Sequence, residues 1–492
     1  SGNQPMFSES GNSVITFNGE IYNFKELAKT IGSSINSDTK LILEYYEKFG
    51  INKLCKELDG MFAFCLLDRQ KKELHLVRDR FGQKPLYYYQ NKKELIFSSD
   101  IRSISTIRKS ELHLNLDSLD YFLTELASPQ PLTIWKEINQ IEPSTYRTIS
   151  LDGERVETKV FWEPGKTVQE ISEAEALEKL ESLLVDAVMK RTIADKEVEV
   201  GTFLSEGVDS GLITAIYAEK SADPIKSFTV TVEDPNFNEG PLAKQLAVKY
   251  GTIHHEILAE PDISAHTERL VEYVGEPFAD DSILPTYLVC SAIGDQLKVA
   301  LSGDGGDEIF GGYHNYNYAQ QTDEFLEKYQ GKSSKYMMAN MSKLTSRITG
   351  GQNLGLPYSY SQKPGHVLLY RECGIDFELK NDAYKNELLK SVNFTRDKLD
   401  ELWTKNFSGS YAKGLFHSYI RTRMLNSYLV KVDRASMINS LEVRSPFLDR
   451  QLAEFSFSLP TNLLLKNGVQ KYLLKKLGEK YIDPNIFNRP KK

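Results

Sequence analysis

The chain has 492 residues, 40% hydrophobic and 26% charged, with a formal net charge of −8, the balance of a globular protein rather than a disordered or fibrous one. Its length asks for about two to four domains. No apolar run approaches the roughly 18 residues that cross a membrane, and no Lys/Arg stripe suits a nucleic-acid backbone. Neither membrane nor nucleic acid is expected as a partner, and small-molecule chemistry is the default.

Four cysteines, Cys55, Cys65, Cys290 and Cys373, are too sparse for a disulfide framework and lack paired zinc spacing, so a reduced, cytoplasmic compartment is expected. The opening SGNQPMFSES has neither the basic nor the apolar region of a secretory signal. It lacks an initiator Met, and FNRPKK stops abruptly. The chain therefore reads as a fragment of a longer protein, truncated at both ends.

From residue 13 to 160 short alternating or apolar runs (SVITF, MFAFCLL, ELHLVRD, PLYYY, ELIFSS) predict strands broken by turns. One helix is expected over about Asp38–Phe49, from a Ser/Asp cap to Gly50. EPGKTVQEISE, 163–173, is a polar connection, followed by a helix over Ala174–Arg191. From 197 the rhythm changes to strand, helix, strand: VEVGTFLS, IKSFTVTV and LKVALSGDGGDE each end in a turn. This βαβ pattern implies a parallel sheet with ligands at the carboxyl ends of its strands. Residues 320–480 read as mostly helical.

Two of those turns carry the chemistry. FLSEGVDSGL, 203–212, is a strand end, a polar turn and a helix start, the arrangement that offers backbone N–H groups to phosphate. SGDGGDE, 302–308, follows a strand and has three glycines that allow a tight turn and close approach to a ligand. Asp209 and Asp307 would supply hard oxygen ligands for Mg²⁺, with ATP phosphates completing the shell. Taken singly, each loop reads more simply as a polar turn with a cap residue. The adjacent His254 and His255 point to opposite faces of a strand and cannot share one ion. Tyr87, Tyr88 and Tyr89 read as strand packing, and Glu442 with Arg444 as a structural pair, with contact to the substrate as the alternative.

Paired, the loops carry a resemblance. SEGVDS resembles the SGGxDS pyrophosphate loop of the ATP pyrophosphatases. SGDGGDEIFGGY at 302–313 and KVDRASMINSLEVRSPFLD at 431–449 resemble the asparagine synthetase members of that group, and the terminal RPKK resembles the start of their catalytic lysine loop. Upstream, FNGEIYN, SDTK, LDGMFAF and RDRFGQKPLYY resemble their N-terminal-nucleophile glutaminase domain. The order matches along the whole chain.

The resemblance implies two domains. The first, 1–162, is a glutaminase with an αββα sandwich, incomplete at its start. After a linker over 163–173, residues 174–492 form an α/β parallel-sheet, ATP-pyrophosphatase-like domain with a helical C-terminal part, incomplete at its end. The implied reaction is ATP-dependent amidation of a carboxylate, aspartate to asparagine, through an acyl-adenylate and ammonia from glutamine. Ser205, Gly207, Asp209 and Ser210 would bind pyrophosphate, Asp209 and Asp307 Mg²⁺, and Lys491 would neutralise the leaving group. Backbone groups at Phe203 and Val230 would hold adenine, with Ser302 and Gly303 completing the nucleotide contacts. Asp304 stands at the general-base position, where some members carry Glu; a loop-orienting role is its alternative. Asn18 and Gly19 match the oxyanion hole, and Glu20 and Asp38 the residues that hold the glutamine amino group; without the family, NGE is a turn signal. The nucleophilic N-terminal Cys and the glutamine-binding arginine are absent, as truncation would explain, and no internal cysteine offers a free terminal amine. The resemblance leaves a homodimer open.

Two rivals remain: amidation of another carboxylate, a sugar acid or a lactam precursor, and a silent scaffold homologue. Glu206 supports the latter, since it replaces a glycine of SGGxDS. A positive φ there would cost on the order of 1 to 3 kcal/mol, and a phosphate charge about 4 Å away would add roughly 4 kcal/mol at an effective dielectric of about 20.

Overall fold

The computed structural model describes residues 3–32, 35–194, 198–234, 238–258, 263–294, 296–328, 374, 375 and 377–487. Nine strands make up the first part: β1 (Met6–Phe7), β2 (Ser13–Ile21), β3 (Gly60–Asp68), β4 (Glu73–Arg78), β5 (Tyr87–Gln90), β6 (Leu95–Ser98), β7 (Ile138–Gln140), β8 (Thr145–Ser150) and β9 (Val156–Val160). They form one antiparallel sheet ordered β1-β2-β3-β4-β8-β9 and a smaller one ordered β6-β5-β7.

Side-chain alternation in β3 explains how these sheets stack. Phe62, Phe64 and Leu66 point to one face, where they pack with the helices Phe24–Ile31 and Asp38–Glu57. Ala63 and Cys65 point to the other and meet Tyr88, Leu95 and Phe97 of the small sheet. Tyr87 and Tyr89, on the far face of that sheet, pack with Ile101 and Ile104 of the helix Ile101–Ile107. The layers run helix, sheet, sheet, helix, and the tyrosine triplet packs as its strand pattern predicts.

The helical span Asp38–Glu57 is broken at Gly50. Gly50, at φ 77° and ψ 172°, leaves helical geometry, so the first helix does stop at Gly50 as expected and a second, short one follows it to Glu57. The next long helix spans Glu173–Arg191, one residue earlier than expected, because Ser172 and Glu175 form a reciprocal capping box.

The second part is built on β10 (Val200–Phe203), β11 (Lys226–Thr231), β12 (Ile253–Leu258), β13 (Val299–Leu301) and β14 (Glu442–Arg444), all parallel in the order β12-β11-β10-β13-β14. The parallel sheet is as anticipated. Strand β14, three residues inside LEVRSPFLD, was too short to produce a periodic signal. The order reverses between β10 and β13, which opens a crevice at their carboxyl ends. Beyond the sheet the described residues are largely helical, and part of the helical stretch expected over 320–480 lies outside them.

A buried ion pair ties the two parts together. Lys380 Nζ stands 2.6 Å from Asp120 Oδ1, both side chains fully buried, and Tyr384 OH and Thr395 N donate to the same carboxylate at 2.8 and 3.0 Å. Removing the anion would take from the buried ammonium the carboxylate it pairs with at 2.6 Å. Asp120→Ala is expected to cost about 3–5 kcal/mol of unfolding free energy in urea titration; a loss below about 1 kcal/mol would contradict this account.

Candidate active site

The loops after β10 and β13 meet at the crevice. In the first, Ser210 Oγ accepts from Ser205 N at 3.1 Å and lies 2.7 Å from Ser205 Oγ, while Gly207 N donates to Ser205 Oγ at 3.1 Å. These bonds curl the chain into the helix Val208–Lys220, of which Gly207 is the N-cap. The second loop packs its glycines directly on the first. A Cβ at Gly303 would stand 3.0 Å from Asp209 Cβ, and one at Gly306 2.8 Å from Asp209 Cγ. Gly303 and Gly306 thus serve loop-to-loop approach, while Gly305 is required by its φ of +88° and by the closeness of Leu448.

Asp209 and Asp307 come together around a cation that sequence reasoning missed. Lys471 Nζ bonds Asp209 Oδ2 and lies 2.8 Å from Asp307 Oδ1. Burial opposes the ammonium charge, but the two carboxylates outweigh it and raise the Lys471 pKa above its usual value. Lys471 holds a left-handed backbone, φ 52°, rare for a lysine. A Cβ on Gly312 would overlap Asp307 Oδ1 and Lys471 Cε, so a glycine closes the cradle. In the sequence Lys471 is one lysine among several in QKYLLKK, with no local pattern to single it out.

Ser302 opens the second loop: its N–H donates to Arg444 O at 3.0 Å, and its hydroxyl donates to Asp304 Oδ2 at 2.6 Å. Asp304 is therefore oriented by the loop, yet half-exposed at its rim. It faces Cys290, whose thiol pKa is pushed up to about 12 by burial and then by Asp304. Glu308 is buried; burial and then Asp307 push its pKa up to about 7, although Tyr313 OH donates to it at 2.6 Å. Phe203 ends β10 opposite Phe228, so β11 runs past it through Val230. Strand alternation turns the Val230 backbone to the same side as that of Phe228, beyond the last rung of β10.

At the other end of the molecule's chemistry, Asn18, Gly19 and Glu20 lie within β2, opposite Ala63, Phe62 and Met61. The turn signal in NGE is overridden. Gly19 adopts φ +142°, and a Cβ there would overlap Met61 O, so the glycine serves close strand approach. Asp38, first in its helix, accepts from Ile21 N at 3.4 Å and so reaches the end of the same strand. Burial, partly countered by the N–H groups of Thr39 and Ile21, raises its pKa. Glu20 lies 3.3 Å from Arg444 Nη2, and Arg444 Nε donates to Glu442 Oε1 at 2.7 Å. The expected Glu442–Arg444 pair is present within β14, and Arg444 also reaches Glu20 in the first part of the chain.

His254 Nδ1 lies 2.9 Å from Ser227 Oγ, and the His255 ring stacks on Phe228 at 4.8 Å. They serve two different contacts, as their strand positions require. Glu206 is half-exposed and is not among the positive-φ residues, so the strain considered for it does not arise. Lys491 lies outside the described residues.

A glycine-packed crevice at the carboxyl ends of a parallel sheet, joined to a layered antiparallel part, is the architecture expected of a two-part, ATP-using, glutamine-dependent ligase. Family comparison agrees. Residues 1–162 match the glutamine amidotransferase domain, and residues 179–492 match asparagine synthase. The chain is 29% identical to asparagine synthetase [glutamine-hydrolyzing] 1 of Bacillus subtilis, covering 100% of this chain and 77% of that protein. It is 32% identical to putative asparagine synthetase [glutamine-hydrolyzing] 2 of Methanocaldococcus jannaschii, over 86% and 81% of the two chains. A putative asparagine synthetase [glutamine-hydrolyzing] of Mycobacterium bovis is 27% identical over 97% of this chain and 74% of its own. The chain belongs to the glutamine-hydrolysing asparagine synthetase family.

The cradle yields a test. Gly312→Ala is expected to push Asp307 and Lys471 apart and weaken ATP binding at least about tenfold, near 1.4 kcal/mol, by calorimetry. Wild-type affinity in that variant would remove Gly312 from the site.

Proposed function

We propose that this enzyme amidates aspartate to asparagine. ATP activates the side-chain carboxylate as an acyl-adenylate, and ammonia released from glutamine attacks it. The observation that carries the reading is the meeting of Asp209, Asp307 and Lys471 under the two glycine-packed loops. Ser205, Gly207 and Ser210, with the N-terminus of the helix Val208–Lys220, are suited to pyrophosphate. Ser302 and Gly303, with the backbone of Phe203 and Val230, are suited to the nucleoside.

The two carboxylates also fit Mg²⁺. Among the described residues no group of three or more His, Cys, Asp or Glu could hold an ion, so the remaining oxygen ligands must come from nucleotide and water, the usual mode for Mg²⁺. Bound there, the ion would neutralise phosphate charge. Lys471 supplies a fixed positive charge at the same carboxylates, and Lys491 is proposed as a second cation for the leaving pyrophosphate. Asp304 is proposed as the base that takes a proton from the attacking nitrogen, with Ser302 holding it in position.

In the N-terminal part, residues 1–162 are proposed as an N-terminal-nucleophile glutaminase, joined by 163–173 to a synthetase domain over 174–492. Asn18 and the Gly19 N–H would stabilise the oxyanion of glutamine hydrolysis. Glu20 and Asp38 would hold the substrate ammonium. A cytoplasmic setting suits these substrates, and no helix among the described residues is long and apolar enough to cross a membrane.

ATP–pyrophosphate exchange tests the acceptor. Exchange is expected with aspartate; exchange with a sugar acid or lactam precursor and not aspartate would reassign the substrate, and none with any carboxylate would overturn the reading. Asp304→Asn should retain exchange and lower ammonia-dependent amide formation about 100-fold, at the lower end of general-base contributions. Equal loss of both would make Asp304 a loop-orienting residue only. Glu206→Gly should raise the exchange rate by relieving repulsion against phosphate, roughly tenfold for each 1.4 kcal/mol removed; an unchanged or lower rate would mean that the loop is adapted to its glutamate.

A further inference from the structure

A cavity of about 300 Å³ lies at the seam between the two parts and shares no lining residue with the loops after β10 and β13. Its walls come from the segment around β8, from the 163–166 connection, and from the helices Phe394–Asn406 and Tyr411–Tyr419 with the turn that follows. That volume is at the lower end for small-molecule sites, which favours a compact ligand.

Its chemistry is unusually charged for a seam. Arg421 donates to Pro143 O at 3.4 Å and Ser144 Oγ at 3.1 Å, using part of a guanidinium that has five N–H donors. Among the described residues neither Arg421 nor Lys398 has a carboxylate within the 4.0 Å ion-pair distance. Burial lowers the pKa of both, so each would gain from an anion. Lys166 is spent on Lys405 O at 2.7 Å, and Lys405 pairs with Glu163 at 3.1 Å. Glu142 and Glu401 also line the space, close enough to act on Lys398 but outside ion-pair contact. His417 is only 3% exposed, stacks on Phe457, and has no ring-nitrogen hydrogen bond among the described residues. Burial, then the Lys413 and Lys166 charges, lower its pKa to about 4, so it stands as a neutral imidazole.

The lining therefore offers cations for carboxylates, carboxylates for an ammonium, and one more cation than anion. We propose that this cavity binds a free acidic α-amino acid, with Arg421 and Lys398 receiving its carboxylates and Glu142 or Glu401 its ammonium group. The ligand has the net charge of −1 that the lining lacks. It would touch both parts of the chain and the connection between them, so binding would stabilise their packing. The proposal is independent of which carboxylate the synthetase part amidates.

Calorimetry on the full chain without nucleotide tests it, using the Asp38→Asn variant to suppress amino-acid binding at the glutamine site. L-glutamate should bind at one site per chain; L-aspartate should bind at that site and at the substrate site of the synthetase part, and only the first should weaken in Lys398→Gln. Succinate, which lacks the ammonium, and inorganic phosphate should bind at least tenfold more weakly. Arg421→Gln and Lys398→Gln should each lower the amino-acid affinity at least tenfold. Among the described residues Lys398 makes no hydrogen bond to lose, so its variant keeps the test valid if the Arg421 change disturbs folding. Absence of saturable binding, affinity unchanged in Lys398→Gln, or equal affinity for succinate would overturn the proposal. ATP–pyrophosphate exchange of the wild-type chain is scored separately, so failure here and failure of the asparagine reading are distinguishable.

Discussion

Two carboxylates and one ammonium in a glycine-walled space set the geometry on which the catalytic half depends. Asp209 starts the helix after β10, Asp307 belongs to the loop after β13, and Lys471 comes from the C-terminal region. Two like charges brought this close need a cation, and burial makes the requirement stronger because water cannot screen them. Lys471 meets it at the cost of a left-handed backbone, on the order of 1 to 3 kcal/mol. Such strain persists only where the surroundings fix it, and here the glycines at 303, 306 and 312 leave the carboxylates no other room. The same atoms that hold the C-terminal region against the sheet are those suited to nucleotide and metal.

Arg444 extends this constraint to the other half. Its carbonyl accepts from Ser302 N at the mouth of the nucleotide crevice, and its guanidinium reaches Glu20 at 3.3 Å on β2. The remaining donors go to Arg191 O at 3.0 Å and Ile193 O at 2.6 Å. One residue therefore links the larger antiparallel sheet to the parallel sheet, and displacing Glu20 would pull on the loop that carries Asp304. Burial opposes the Arg444 charge, but Glu442, Tyr22 and Glu20 outweigh it and raise its pKa. The guanidinium stays charged at every accessible pH.

Much of this was legible in the sequence because it is local. Glycines in SGDGGDE, the alternation in MFAFCLL and the βαβ rhythm each act over a few residues, and the parallel sheet and its loops follow from them. What was illegible is long-range. Lys471 pairs with Asp209 across 262 positions, and no spacing rule reaches that far. NGE reads as a turn only while its neighbour is unknown; opposite Met61 the same glycine lets two strands close. Gly50, by contrast, was readable as a helix stop, and its φ of 77° and ψ of 172° do break the helix there.

Glu206 shows how a structure can divide one expectation into two. As a replacement for glycine it could have strained the loop, but the loop's fold comes from Ser205, Gly207 and Ser210, and position 206 needs no positive φ. What remains is charge. A half-exposed carboxylate has part of its field screened by water, so its effect on a phosphate about 4 Å away lies between roughly 1 kcal/mol in bulk water and 4 kcal/mol near a protein surface. Lys471 offsets some of this, but it already answers to Asp209 and Asp307. The glutamate therefore acts on the energy of the phosphates and not on the shape that receives them, which is why the loop keeps the form of a nucleotide site while carrying the wrong charge for one.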